Sequence, residues 1–269
     1  MILYIASYPR CGNSLTRDII QTYFKRPASS VHPWTNPIPV RLPHATNWRL
    51  PADIPLAEKL RHPWLIWNDQ LALYDQTVSP HAKNQRFLMR GCGVALTSLN
   101  RLRLATEKTV YVLKTHYRPY KRYFPGEAVL QIVRHPGPVI KSYYNLHKKD
   151  GIERHTLDDF IAGKVEFGSW NDYHTEWMTA AQRLGQRYAR IRFEQVRDDP
   201  MQVCQPVKAF TGWDFDPAAQ TRDFEQRQAA NPVMFSTGSN ADWEAFFTPE
   251  QRQQIAAVNQ PMMQYLEYA

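Results

Sequence analysis

The sequence predicts a three-layer α/β fold, a central and mainly parallel sheet flanked by helices, as one domain over residues 1–269. Three observations lead there. An apolar run, Ile2 to Ile5, passes through a turn holding Pro9 and Gly12 into an amphipathic pattern of Leu15, Ile19, Ile20, Tyr23 and Phe24. A second unit of this kind follows: Val129-Leu-Gln-Ile-Val133 runs into Arg134-His-Pro-Gly-Pro138, whose prolines fit only the first turn of a helix. Between the two, Val110 to Leu113 reads as a buried strand. Repeated strand–turn–helix units call for parallel strands with helices packed on the sheet.

Taken in order, the first turn is the most informative. Main-chain N–H groups at a helix start have no intrahelical partner and favour an anion. Arg10, Asn13 and Ser14 add donors beside them, which suggests a phosphate or phosphosulfate cradle. No Gly-Lys-Ser/Thr closes the loop, so it is not a Walker motif.

Residues 27–63 change character, with His32-Pro-Trp34, Trp48, His62-Pro-Trp64 and seven prolines between 27 and 55. That proline density argues against long helices or a central strand, and the aromatic content argues against plain disorder. We expect an irregular insertion at about 27–107, either an acceptor-binding lid or a packed surface excursion. Trp34, Trp48, Trp64 and Trp67 are core residues or acceptor walls; His32, His44, His62 and His81 show no metal spacing. A weak helical period through Leu96, Leu99 and Leu102 leaves Arg101 and Arg103 as solvated positions.

Lys114, Thr115 and His116 fall at the carboxyl end of the next strand, where open parallel sheets collect ligands. After Arg134, the residues Val139, Tyr143 and Leu146 keep helical spacing and carry Ser142 with them. Gly168-Ser-Trp170 opens a helix with a Trp170, Tyr173, Trp177, Ala181, Leu184 core stripe. A short strand over 187–193, a turn at Asp198-Asp-Pro200, a helix over 201–211 and another from about Pro217 complete the middle of the chain. Phe235 to Trp243 is a turn-rich loop. Thr248-Pro-Glu-Gln251 is a capping box that starts a last helix, which Pro261 should bend or end.

The bulk properties bound the partner without naming it. The formal charge is +8 over 269 residues, so an anionic partner is expected. The basic residues are scattered rather than run together, so a nucleotide explains the balance as well as a nucleic acid does, and charge alone decides nothing. Cys11, Cys92 and Cys204 have no metal-ligand spacing and read as reduced thiols of a cytoplasmic protein. No signal peptide or bilayer-length apolar run is visible, so no membrane partner is expected.

Three segments in this order resemble the sulfotransferase family that uses 3′-phosphoadenosine 5′-phosphosulfate (PAPS). Tyr8-Pro-Arg-Cys-Gly-Asn-Ser-Leu15 stands where the family has its 5′-phosphosulfate loop. Lys114-Thr115-His116 matches its Lys-Thr-His segment, and Val133-Arg-His-Pro136 with Ser142-Tyr-Tyr144 matches its 3′-phosphate segment. Gly168-Ser-Trp170, Ile191 to Pro200 and Asp242-Trp243 with Phe247-Thr248 follow the family's course, leaving only 27–107 without a match.

The resemblance implies a P-loop-like three-layer fold and transfer of a sulfuryl group from PAPS to an acceptor oxygen, or less readily nitrogen, of a small metabolite or natural product. His116 is then the general base, with Lys114 and Arg10 as cations at the leaving group. Arg10, Cys11, Gly12, Asn13, Ser14 and Leu15 hold the 5′ end, and Arg134 and Ser142 the 3′-phosphate. Phe193 and the Phe235-Ser236-Thr237-Gly238 loop complete the nucleotide site; no metal is required by the scheme. Leu15 replaces a tryptophan, Phe193 a tyrosine, and Ser236-Thr237-Gly238 an Arg-Lys-Gly, so two cations are lost. That loop binds phosphate through amides and hydroxyls, or it is an ordinary turn. The rival readings are a P-loop-type nucleotide kinase and a basic nucleic-acid-binding protein, for which neither the Walker closure nor a clustered basic face is found.

Overall fold

The computed structural model of the chain describes residues 1–26, 29–32, 45–49, 66–68, 91–95, 98–108, 110–149, 151, 154–221, 226, 229 and 243–268. Its strands are β1 (Ile2–Ser7), β2 (Ser29–His32), β3 (Ala45–Arg49), β4 (Ile66–Asn68), β5 (Gly91–Ala95), β6 (Tyr111–Thr115), β7 (Glu127–Val133) and β8 (Tyr188–Arg192). They form one sheet in the order β4-β5-β3-β2-β6-β1-β7-β8. The pairs β2–β6, β6–β1, β1–β7 and β7–β8 are parallel; β2–β3, β3–β5 and β5–β4 are antiparallel. The chain leaves β1 toward β2 on one side and leaves β7 toward β8 on the other. The winding therefore reverses beside β1, which opens a crevice at the carboxyl ends of these strands.

The described helices are α1 (Asn13–Phe24), α2 (Ser98–Thr106), α3 (Pro136–Lys149), α4 (Leu157–Ile161), α5 (Trp170–Leu184), α6 (Phe193–Asp198), α7 (Met201–Thr211), α8 (Trp243–Phe246) and α9 (Pro249–Tyr265). β1 is buried along its whole length, and its side chains alternate between two cores, as a period of two requires. Leu3 and Ile5 join Leu15, Ile19, Ile20, Val203 and Val207 of α1 and α7. Ile2, Tyr4 and Ala6 join Val139, Tyr143, Trp170, Trp177 and Ile255 of α3, α5 and α9. Helices thus cover both faces, and the expected three layers are present.

Some details differ from the sequence expectation. The proline-rich stretch is not without strands: β2 to β5 extend the sheet, and β2 lies inside it between β3 and β6. These strands are only three to five residues long and fall in proline-free intervals, so each keeps its ladder donors. The expected helix from about Pro217 begins as a turn at 217–218, and most residues between there and 242 lie outside the described ones. Pro261 does not end α9, which continues to Tyr265. Ile255, Asn259, Met262 and Leu266 bury one stripe on either side of the proline, and that packing holds the last turn in place.

Arg101 is the clearest correction. α2 turns Arg101 and Leu104 inward and leaves Leu99 58% and Leu102 40% exposed, the reverse of the face expected. The Arg101 Nε and Nη2 groups donate to the two carboxylate oxygens of Glu127, at 2.8 and 2.7 Å. Glu127 also accepts from the Tyr4 hydroxyl (2.8 Å) and the Phe124 N–H (2.7 Å), and the guanidinium lies 3.6 Å from the Tyr120 ring centroid. This is a bidentate, buried ion pair at the amino end of β7, far from the crevice.

Candidate active site

The loop after β1 is shaped by two residues in the left-handed region, Arg10 (φ 71°) and Gly12 (φ 97°). Gly12 is the residue before α1, and a Cβ there would lie 2.3 Å from a ring carbon of Phe193, so only glycine fits. α1 starts without a side-chain cap, which leaves its first N–H groups directed at the crevice. Cys11 is fully buried and burial pushes its thiol up, so it serves as a small packing residue rather than a reactive one. Leu15 packs its side chain into the core with Ile19 and brings only its main chain to the loop.

Lys114 lies in β6 opposite Ile5 of β1. It is 8% exposed, and its ammonium has no hydrogen-bond or ion-pair partner among the described residues. Burial first, then the charges of Arg17 and Arg10, lower its ammonium from 10.5 to about 7. A buried ammonium beside other cations, with no carboxylate among the described residues to answer it, is a site built for an anion.

His116 follows β6 directly. Its Nδ1 is 2.8 Å from the Ser7 carbonyl oxygen, which can only accept, so Nδ1 is the donor and, in the neutral ring, Nε2 is the acceptor. The Phe167 ring meets the imidazole edge-on at 5.7 Å. The turn that carries Phe167 is itself pinned: Arg118 donates to the Phe167 carbonyl (3.1 Å) and the Tyr8 hydroxyl to the Gly168 carbonyl (2.8 Å).

Arg134 follows β7. Burial lowers its guanidinium somewhat from the usual range. Its carbon centre lies 4.2 Å from the Phe193 ring centroid, and it donates to the Arg10 carbonyl at 3.3 Å. Arg10 in turn donates from Nε to the Ser142 hydroxyl at 2.9 Å. Arg10 therefore ties the first loop to both parts of the third segment. Phe235, Ser236, Thr237 and Gly238 lie outside the described residues; Trp243, the first residue described after them, packs tilted against the ring of His135 at 4.9 Å.

The expected residues that are described lie at or just past the carboxyl ends of four neighbouring strands, β6, β1, β7 and β8, with Ser142 on α3. Three others beside them were not anticipated: Ser7, Arg17 and Phe167. Arg17 had a signal, since it sits one helical turn after Asn13 on the face that meets the loop. Ser7 and Phe167 had none, because their contacts with His116 join segments distant in sequence.

A family model for the sulfotransferase domain matches residues 3–267. The chain belongs to the sulfotransferase domain family. Its match to bovine sulfotransferase 1A1 is 24% identical over 156 residues, 48% of this chain and 52% of that protein. The chain thus spans about half the length of that curated relative. The fold is also similar to mouse sulfotransferase SULT7A1 complexed with PAP, at 16% identity and a TM-score of 0.57, covering 99% of this chain and 88% of that one. Retinol dehydratase in complex with androsterone and PAP gives 14% identity and a TM-score of 0.56, over 97% and 80% of the two chains. The family match includes the 27–107 region, which the motif resemblance had left out. No described helix is long and apolar enough to cross a membrane.

Proposed function

We propose that this sulfotransferase-family chain moves a sulfuryl group from PAPS to a hydroxyl, or less readily an amine, of a small-molecule acceptor, working as one domain in the cytoplasm. The observation that carries the reading is Lys114, a buried ammonium at the mouth of an uncapped helix, with two arginines and, among the described residues, no carboxylate around it. A dianionic phosphosulfate supplies the missing charge there. PAPS brings an activated sulfuryl group; the chain's own residues bind it, exclude water and move one proton. The first N–H groups of α1, from Gly12, Asn13, Ser14 and Leu15, receive the 5′ end, and Arg10 and Lys114 stabilise charge on the departing phosphate. His116 takes the acceptor's proton on Nε2, the nitrogen that the Ser7 contact leaves as an acceptor. Arg134 and Ser142 hold the 3′-phosphate, Phe193 lines the nucleotide, and Ser236 to Gly238 keep the part expected of them. Solved relatives bound to PAP support the donor, and one bound to androsterone supports a small acceptor with a hydroxyl.

Two measurements test the cofactor half. Arg134→Ala should weaken PAP binding by about 2 kcal/mol, roughly 30-fold, because a buried phosphate then loses its charged fork. Unchanged calorimetric affinity would put the 3′-phosphate elsewhere.

The second measurement is pH dependence. Lys114 titrates near 7 in the folded protein and near 10.5 unfolded, so between those values the unfolded chain binds more protons and the empty protein gains stability as pH rises. Binding an anion restores the ammonium. PAP should therefore take up a proton above pH about 7 and lose affinity as pH rises, by up to about tenfold per unit. Calorimetry in two buffers of different ionisation enthalpy reads the uptake directly, and Lys114→Met should abolish it. No proton uptake in the unaltered protein would remove Lys114 from the site. Turnover with PAPS without added Mg²⁺ dismisses the kinase reading.

A further inference from the structure

We propose that Asn13 is a positioning residue for His116: acting through Ser7, its carboxamide keeps the imidazole in the form with the proton on Nδ1. The inference rests on reading His116 as the base, and it gives the Asn13 side chain a duty apart from anion binding.

Asn13 is the first residue of α1, and its side chain turns away from the crevice into the end of β1. It is 5% exposed. Its Nδ2 group donates to the Ile5 carbonyl at 3.1 Å and to the Ser7 hydroxyl at 3.0 Å. A carbonyl cannot donate, so the amide has only this orientation, and both Nδ2 hydrogens are committed.

Ser7 needs that support for a topological reason. On the β7 side its ladder continues, Ser7 pairing with Ile132. On the β6 side the ladder stops one residue earlier, at Ala6 and Thr115, and His116 is the next residue along. Toward His116, therefore, side chains hold Ser7 where backbone pairing would otherwise do so.

Ser7 offers His116 two groups with opposite consequences. Its carbonyl, 2.8 Å from Nδ1, requires the proton on Nδ1 and leaves Nε2 able to accept. Its hydroxyl lies 3.4 Å from the same nitrogen, beyond a good hydrogen bond. Were the hydroxyl to swing closer and donate, the proton would belong on Nε2, and the base would face the acceptor in the wrong form. Asn13 anchors that hydroxyl at its present distance. The residue that opens the anion-binding helix thereby also sets the protonation of the base.

The test is nitrogen-15 NMR of the full chain labelled at histidine, with the His116 signals assigned by their loss in His116→Ala. The unaltered protein should show His116 Nδ1 as the protonated nitrogen and Nε2 as the bare one. Asn13→Ala should move a substantial share of His116 to the opposite form and lower kcat by about tenfold, less than loss of the base itself. Asn13→Thr, which keeps one donor but one bond nearer the main chain, should return the spectrum and the rate part of the way, and it stands in if the alanine variant does not fold. A His116 spectrum identical to the unaltered protein in a folded variant overturns the proposal, whatever the rate does. Near-normal turnover in His116→Ala overturns the base reading instead, and leaves the tautomer result intact.

Discussion

His116→Ala is expected to slow turnover with PAPS by about a factor of 10² or more, with PAP bound as tightly as before. The separation follows from where the residue sits. The imidazole follows the end of β6, held by the Ser7 carbonyl on one edge and the Phe167 ring on another. The groups proposed to meet the anion, Lys114 and the start of α1, do not depend on it for their position: Lys114 is fixed by the β6–β1 ladder and α1 by its packing on the core. Proton abstraction and cofactor binding thus draw on different contacts. Single-turnover rates with saturating PAPS isolate the first, and calorimetry with PAP isolates the second. A variant that loses both together would mean that His116 holds the site open rather than serving as its base.

The second large effect concerns stability. Arg101→Ala should cost about 3–5 kcal/mol, read as a lowered denaturation midpoint, because it strands the Glu127 carboxylate in the interior. Glu127 would keep its bonds from Tyr4 and Phe124, but neither carries a charge to balance it. Arg103→Ala, two residues away on the exposed face of the same helix, should stay within about 0.5 kcal/mol. The contrast is the test, since equal effects would make Arg101 an ordinary surface cation. PAP affinity of the folded Arg101 variant should be unchanged, as the pair sits at the opposite end of the sheet from the crevice.

The position of His116 was legible in the sequence: an apolar run followed by Lys-Thr-His at its end is a local pattern, and local patterns fix strand ends. The first loop, the capping box at Thr248 and the span Met201–Thr211 were legible for the same reason. Arg101 was not. Which face of a weakly amphipathic helix turns inward depends on what waits there, and Glu127 lies on another element. The strands between Ser29 and Ala95 were hidden by the prolines around them, because proline density averages over intervals too short to judge. That Pro261 does not end α9 has a related reason, since its propensity is outweighed by burial on both sides of it. Within the site, Asn13 reads from the sequence as one of the anion donors, and only the geometry turns its amide toward Ser7.

The central place of β1 has a consequence for how the protein is made. Its partners on both edges, Tyr111–Thr115 and Glu127–Val133, emerge from the ribosome more than a hundred residues after it. Until then the chain carries an unpaired apolar segment with two open edges. Contacts of such long sequence separation slow folding, because a large loop must close before the ladder repays it. During synthesis β1 therefore waits for both partners, and the loop at its end takes shape only when the sheet closes around it.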